Sequence, residues 1–178
     1  MAKERIEYTE HFPEVMAALS TRGLLLGSMD KGGKPNLMTI GWGAIGTVWS
    51  KPLWTVLVRH SRHTLGCIEA HGAFTVNVPG PDMAAVCELC GRRSGRDTDK
   101  FAACGLTPEK SSIITAPGVA ECAIVYECRV VHSNELLPER LQKEIVQEYY
   151  PRGDFHRVYW GEILEVRADR QAAARLGD

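Results

Sequence analysis

The chain has 178 residues, 44% of them hydrophobic, so it can bury one sizeable core and disorder is not expected. Lysine and arginine number 21 against 22 acidic residues, and the net charge of −1 provides no broad field for nucleic acid. Charges interrupt every long apolar run and are scattered through the N-terminal segment, so we expect no membrane span and no signal peptide. We therefore predict a single cytoplasmic domain over residues 1–178.

The first half of the chain predicts short strands and one helix. The elements expected in chain order are an amphipathic opening at 12–19, strands at 23–29, 36–48 and 53–58, a helix at 62–70 and a strand at 73–78. Ser61 is placed to cap the helix, and Gly72 is placed to end it.

The second half adds two longer strands and more helical segments. The elements expected are a helix at 83–89, a polar loop at 91–98, a helical turn at 99–103, strands at 119–131 and 155–166 with an exposed helix at 138–150 between them, and a polar tail from 169. Many strands without regular strand-helix alternation favour a mainly β fold, an antiparallel barrel with peripheral helices.

The common cofactor fingerprints do not fit this sequence. Gly41, Gly43 and Gly46 have the glycine spacing of a dinucleotide motif, but they lie within a strand-like run instead of joining a strand to a helix. A P-loop aligned on Gly33 and Lys34 fails at the flanking positions. The glycines therefore need another explanation.

Two segments have the composition of anion-binding loops. Ser61, Arg62, His63 and Thr64 stand where a helix begins, so backbone N–H groups, hydroxyls and a positive charge converge there. The second segment, residues 94–101, again combines hydroxyls, a glycine and cations before a helical turn. The alternatives are an ordinary N-cap with solvated neighbours in the first case and a solvated loop in the second.

The glycine-spaced strand offers a third element. Residues 36–42 read Asn-Leu-Met-Thr-Ile-Gly-Trp, and the glycine allows a flat ring to approach the backbone. The alternative is a barrel strand whose glycines relieve curvature, with Trp42 in the core.

Cysteines provide a separate hypothesis. Of six cysteines, Cys87 and Cys90 form the only C-x-x-C, without the second pair that a zinc ribbon needs, so we predict no metal site. Free, small apolar side chains near a helix end are the simpler interpretation. A redox-active dithiol is the alternative, although such a pair normally opens a helix after a strand.

Together the three segments resemble the flavin reductase-like FMN-binding family, which includes flavoredoxins. The matching pieces are Asn36-x-Met38-Thr39-x-x-Trp42, Ser50-x-Pro52, Arg62-His63-Thr64, Phe74-x-Val76-Asn77-x-Pro79 and Ser94-Gly95-Arg96-Asp97-x-Asp99-Lys100-Phe101. The resemblance implies a split β-barrel with Greek-key connections, and a homodimer that holds FMN near the subunit interface. Residues 135–156, termed the insert below, add a predicted helix where many members of the family have a short connection.

The resemblance also implies site residues. By position, the FMN-binding residues expected here are Asn36, Met38, Thr39, Ile40, Gly41, Trp42, Ser61, Arg62, His63, Thr64, Asn77, Ser94, Gly95 and Lys100. Of these, the strand residues would flank the flavin ring and ribityl chain, while Ser61, Arg62 and Thr64 would hold the phosphate. We expect no catalytic residue, because hydride transfer belongs to the cofactor, and we expect Trp42 and His156 beside the ring.

The function expected from the resemblance is that of an FMN-dependent oxidoreductase. NADH or NADPH would be the electron donor, and flavin or a ferric chelate the acceptor. The first alternative is a flavoredoxin-like carrier that exchanges electrons with protein partners. The second is a thiol or metal sensor that uses Cys87 and Cys90.

Overall fold

Strands dominate the computed structural model, which describes residues 3–177. The strands are β1 (Lys3–Arg5), β2 (Leu24–Met29), β3 (Pro35–Ile40), β4 (Gly43–Val48), β5 (Lys51–Arg59), β6 (Ala73–Val78), β7 (Pro108–Glu109), β8 (Gly118–Val119), β9 (Ile124–Glu135) and β10 (His156–Asp169). The helices are α1 (Phe12–Thr21), α2 (His63–His71), α3 (Ala84–Arg92), α4 (Lys100–Cys104), α5 (Lys143–Tyr149) and α6 (Ala172–Leu176), with 3₁₀ turns at Pro81–Met83 and Pro138–Arg140.

Eight strands form one antiparallel sheet. Its order is β3-β2-β6-β9-β10-β5-β4, and β1 pairs with the far end of β10. The long strand β10 pairs with β9 on one side, and on the other with β5 near its start and β1 near its end. Strands β3 and β4 are neighbours in sequence but lie at opposite ends of this order, so the chain passes from one edge of the sheet to the other within residues 41–42.

Two hydrophobic clusters share β2 and β3 as a common wall. Leu24 and Leu26 face the main core, where Trp54, Phe74 and Tyr126 are the largest side chains. Leu25 points to the other face and packs in the second cluster with α3 and α4. Because successive side chains of a strand alternate between faces, burial on both faces explains the continuous Leu-Leu-Leu of β2. The second cluster thereby holds α3 and α4 against β3.

Several predicted boundaries need correction. The single strand expected over 36–48 is two strands, because the backbone leaves the sheet at Gly41 and Trp42. Ser61 does not cap α2: the helix begins at His63 with Arg62 as its N-cap residue, and no side chain provides a capping hydrogen bond. Gly72 ends the helix in the left-handed conformation, as predicted.

The later segments also differ from expectation. The helix expected over 138–150 is a 3₁₀ turn followed by the shorter α5, because the chain extends again at Leu141. The predicted polar tail contains α6, whose Ala172 and Leu176 are buried against the main core. No helix within residues 3–177 combines the length and the apolar character that crossing a membrane requires.

Candidate functional site

A cationic pocket of about 140 Å³ opens where α2 begins. Three stretches of chain meet there: the start of α2, the C-terminal end of α3, and the loop that leads into α4. The lining residues are Met38, Ser61, Arg62, His63, Thr64, Arg92, Arg93, Ser94, Gly95, Arg96 and Lys100. Four arginines, hydroxyl groups and the first-turn N–H groups of a nine-residue helix suit an anion.

Asn36, on β3, contacts two of these stretches: the start of α2 and the loop that leads into α4. Its side-chain amide is buried and donates to Ser28 Oγ at 3.0 Å and to Thr64 Oγ1 at 2.9 Å. Gly95 lies directly against it: a Cβ on Gly95 would stand 2.0 Å from Asn36 Oδ1 and 2.9 Å from His63 Cδ2. The loop can approach α2 this closely only because residue 95 has no side chain.

Lys100 anchors the other side of the pocket. The side chain is 5% exposed, and Nζ donates to Leu37 O at 2.6 Å and to Cys90 O at 2.9 Å. An ammonium group has three donors, so one N–H is left for the pocket. Burial lowers the pKa of Lys100, and the carbonyl oxygens around Nζ balance part of the cost of burying its charge.

Arg62 and Arg96 are oriented by the backbone. Arg62 Nη1 donates to Gly91 O at 3.1 Å, and Arg96 Nη1 donates to Ser61 O at 2.9 Å. Each guanidinium has five N–H groups, so further donors are left on both side chains. Two cations are thus fixed at the mouth of the pocket by hydrogen bonds that do not neutralise their charge.

An aromatic pocket of about 200 Å³ continues from the cationic one. Its lining comes from the end of β3, the turn after it, β5, the N-cap residue of α2 and β10. The residues are Met38, Thr39, Ile40, Gly41, Trp42, Leu57, Arg59, Arg62 and His156. Met38 and Arg62 line both pockets. A ligand with a flat ring at one end and an anion at the other fits this arrangement.

Trp42 forms one wall of the aromatic pocket. Trp42 is 41% exposed, and its ring lies 5.2 Å, centroid to centroid, from both Tyr149 and His156. Tyr149 belongs to α5, in the insert, and meets Trp42 edge to face. The insert therefore packs against the mouth of this pocket.

His156 is buried and uncharged. Its Nδ1 lies 2.7 Å from the hydroxyl of Tyr150. Burial, with the charge of Arg59 nearby, lowers the pKa of His156 to about 4. The imidazole is therefore neutral at physiological pH and presents a polar edge to the pocket without a charge.

Arg59 and Ser61 attach the insert to the rest of the site. Arg59 lies 5.0 Å above the ring of Tyr150 and donates to the backbone oxygens of Tyr149 (3.0 Å) and Asp154 (2.9 Å). Asp154, in the left-handed conformation, accepts from Ser61 N at 3.0 Å and from Ser61 Oγ at 2.7 Å. These bonds connect the insert to both pockets.

The sequence profile described as the flavin reductase like domain matches residues 16–177. The chain belongs to the flavin reductase-like family. An uncharacterized protein of Archaeoglobus fulgidus is 32% identical over 133 residues, which cover 75% of this chain and 65% of that protein. The chain spans less than two thirds of the length of the curated relatives it matches.

Solved structures place the fold in the same family. Flavoredoxin of Desulfovibrio vulgaris (Miyazaki F) superposes with a TM-score of 0.69 at 28% identity, over 84% of this chain and 70% of that chain. The FMN-binding domain of a flavin reductases-like enzyme from Shewanella baltica OS155 gives 0.68 at 20% identity, over 96% and 78% of the two chains, and shows the fold alone. The predicted split β-barrel of the FMN-binding type is confirmed.

Twelve of the fourteen residues expected from the family resemblance line one pocket or the other. Asn36 does not line a pocket, but its amide holds Thr64 in place. Asn77 lines neither pocket. It is fully buried, donates to Leu25 O and Thr75 Oγ1, and accepts from Val119 N, so its polar atoms pair within the fold.

Several lining residues were not predicted from the sequence. They are Leu57, Arg59, Arg92 and Arg93. The consecutive Arg92 and Arg93, directly before the Ser94 loop, were the available signal for a larger cation cluster. No sequence pattern marks Arg59 as a site residue, because its contacts form only when the insert folds back over β5.

Cys87 and Cys90 face the second hydrophobic cluster from α3 and are buried. Burial raises the pKa of Cys87 to about 11 and that of Cys90 to about 12, so both thiols stay protonated and weakly nucleophilic. The backbone carbonyls of the two cysteines, and not their thiols, contact site residues. Thr39 Oγ1 donates to Cys87 O at 2.5 Å, and Lys100 donates to Cys90 O. This part of α3 therefore supports both pockets through main-chain carbonyls.

The residues present fit FMN. The cationic pocket supplies charge-assisted donors for a phosphate. Because Gly95 has no Cβ, the Ser94 loop can lie close to α2 and contribute to the same pocket. The adjoining pocket supplies backbone at Gly41, where an added Cβ would meet open space, and an aromatic wall at Trp42 for a flat ring.

Proposed function

We propose that this protein binds FMN and acts as an oxidoreductase that takes electrons from NADH or NADPH. The observation that carries the proposal is the shared lining of the two pockets: Met38 and Arg62 connect a cluster of phosphate donors directly to a cavity with an aromatic wall. Membership in the flavin reductase-like family supports the same cofactor.

When bound, FMN supplies the hydride acceptor, its N5 atom. The protein's residues bind and orient the cofactor. Arg62, Arg96 and the start of α2 neutralise the phosphate, and the turn at Gly41 positions the ring. His156, with a pKa of about 4, is a polar but uncharged neighbour at neutral pH, which supports the expectation that no side chain transfers a proton.

A flavoredoxin-like electron carrier is the second candidate. Two observations favour it: the 28% identity to flavoredoxin of Desulfovibrio vulgaris, and the exposure of Trp42 (41%) and Tyr149 (42%) at the mouth of the aromatic pocket. A redox protein docks on an apolar rim of this kind. We also propose a homodimer, on the family resemblance, and a cytoplasmic location, because all six cysteines are unpaired and persist as thiols in a reducing compartment.

Anaerobic titration with NADH and NADPH separates the two candidates. The purified protein is first examined for a visible flavin spectrum, and the released cofactor is identified by mass. Rapid bleaching of the flavin band by a nicotinamide supports the oxidoreductase. Bound flavin that stays oxidised for many minutes excludes it and leaves the carrier.

Replacement of Arg62 tests the phosphate assignment. Arg62→Ala removes a charge-assisted donor, so FMN affinity should fall roughly tenfold or more. Arg170→Ala is the matched control, because Arg170 is exposed and pairs with Glu4 away from the site. Equal FMN dissociation constants for the two variants would refute the assignment.

A further inference from the structure

Tyr150 and His156 form a buried hydrogen-bonded pair at the edge of the aromatic pocket. The Tyr150 hydroxyl lies 2.7 Å from Nδ1 of His156, and both residues are buried. Tyr150 directly follows α5, whereas His156 begins β10 and lines the pocket. The pair therefore connects the end of the helix in the insert to a side chain that faces the cavity.

The direction of this hydrogen bond follows from the partners within reach. Burial raises the pKa of Tyr150, so the phenol keeps its proton, and the imidazole is neutral with a pKa of about 4. Among residues 3–177, the phenol oxygen has no hydrogen-bond partner except Nδ1. If Nδ1 carried a proton, the buried O–H would have no acceptor, which is unfavourable. The hydroxyl therefore donates to Nδ1, and the single N–H of the imidazole is on Nε2.

Two contacts hold the phenol ring in this position. Phe155 stacks on it with 4.6 Å between ring centroids and 19° between ring planes, and Arg59 Cζ lies 5.0 Å from its centroid. The charge of Arg59 opposes the effect of burial on the Tyr150 pKa, which makes the phenol O–H a better donor. The donor to Nδ1 is thus fixed from both sides of the insert's attachment to β5.

The second nitrogen of His156 is available to a ligand. Nε2 has no hydrogen-bond partner among residues 3–177 and is not enclosed by them, and the residue lines the aromatic pocket. A flat ring in this pocket therefore meets an uncharged N–H donor whose proton position is set by Tyr150.

We propose that Tyr150 is a positioning residue that keeps the imidazole proton on Nε2, from which His156 donates to an oxygen or nitrogen at the edge of the flavin ring. This inference rests on the proposed binding of FMN and deepens it. Oxygen and nitrogen atoms of the ring gain electron density on reduction, so a fixed donor binds reduced FMN more tightly than oxidised FMN. Tyr150 thereby raises the midpoint potential of the bound flavin through His156.

The position of the proton can be measured without flavin. Long-range proton–nitrogen correlation spectra of protein with labelled histidine distinguish a ring nitrogen that carries a proton from one that does not. At neutral pH, Nε2 of His156 should carry the proton and Nδ1 should not. The variant His156→Gln identifies the signals. A proton on Nδ1 overturns the proposal, whether or not the protein binds FMN.

Midpoint potentials of the bound FMN test the consequence. Tyr150→Phe removes only the hydroxyl and keeps the ring that Phe155 and Arg59 contact. The affinity for reduced FMN relative to oxidised FMN should fall roughly threefold, which lowers the potential of a two-electron couple by about 15 mV. His156→Phe removes the donor itself, so the ratio should fall roughly tenfold, or about 30 mV.

Tyr149→Phe is the matched control. It removes the hydroxyl of the neighbouring, exposed tyrosine and keeps the ring that meets Trp42, so the potential should stay unchanged. A double variant completes the test: with His156→Phe already present, Tyr150→Phe should cause no further fall, because Tyr150 acts through His156. A further fall in the double variant, or an equal fall in Tyr149→Phe, overturns the positioning role.

Failure of this inference and failure of the proposed function give different results. If wild type and Tyr150→Phe bind FMN at the same midpoint potential, Tyr150 does not position the donor, and the proposed function still stands. If the wild-type protein binds no FMN, the proposed function and this inference are both wrong.

Discussion

The cationic pocket and the aromatic pocket are assembled in different ways. The cationic pocket uses runs of consecutive residues, 61–64 and 92–96, joined by the buried Asn36. The aromatic pocket depends on long-range packing: Arg59 at the end of β5, His156 at the start of β10, and an insert that folds over Trp42. The cationic pocket should therefore be sensitive to any change in the distance between its two loops. The shape of the aromatic pocket should depend on the length and sequence of the insert.

The largest expected effect concerns the cationic pocket. Gly95→Ala places a Cβ 2.0 Å from Asn36 Oδ1, so either the Ser94 loop moves away from α2 or Asn36 moves and its hydrogen bond to Thr64 is lost. Overpacking of this kind typically costs about 1–3 kcal/mol, so FMN affinity should fall roughly 5- to 150-fold. Fluorescence titration of the flavin measures it.

Gly91→Ala is the control for that prediction. A Cβ on Gly91 would lie 3.5 Å from Thr39 Cβ, an ordinary contact, and alanine suits the helical position. FMN affinity should be unchanged. If Gly91→Ala weakens FMN binding as much as Gly95→Ala does, close backbone approach at Gly95 is not what builds the pocket.

The next largest effect concerns His156, in the aromatic pocket, and the dependence of the unfolding free energy on pH. His156 has a folded-state pKa of about 4, against an ordinary 6.5, so the unfolded chain takes up this proton at higher pH than the folded protein does. Stability from this group is full above pH 6.5 and is lost as the pH falls toward about 4.

The variant His156→Gln tests this linkage. Between about pH 6.5 and pH 4 it should lose about 2–3 kcal/mol less unfolding free energy than wild type, as measured by urea denaturation. The groups that face the imidazole are Tyr150, Arg59, Asp154 and Arg62, and they are unchanged in the variant. Parallel pH profiles for the two proteins would show that His156 does not titrate in this way.

The smallest expected effect tests the attachment of the insert. Asp154→Ala removes two hydrogen bonds to Ser61, both at an exposed position where such bonds have modest value, so FMN affinity should fall only roughly threefold. Asp154→Asn preserves an acceptor and the left-handed preference, and should bind FMN like wild type. A loss as large as that of Gly95→Ala would remove the contrast between the two pockets.

Much of the cationic pocket could be predicted from the sequence, because its donors are consecutive in the chain. Hydroxyls and cations at 61–64 and 94–100 indicate anion binding from residue types alone, and the resemblance to the family assigned both segments to FMN. Arg59 could not be predicted, since its position depends on the insert. Asn77 was assigned to the site on the resemblance, but its bonds to Leu25, Thr75 and Val119 can be recognised only in the folded sheet.

Local pattern by itself determined the mainly β fold, most strand positions, the glycine stop of α2 and the segments that carry phosphate donors. These features depend on side-chain alternation and turn chemistry, which act within a few residues. Only the tertiary structure decided that residues 36–48 divide between opposite edges of the sheet, that the tail forms α6, and that Ser61 pairs with Asp154. These outcomes depend on contacts between residues far apart in the chain, which no local window contains.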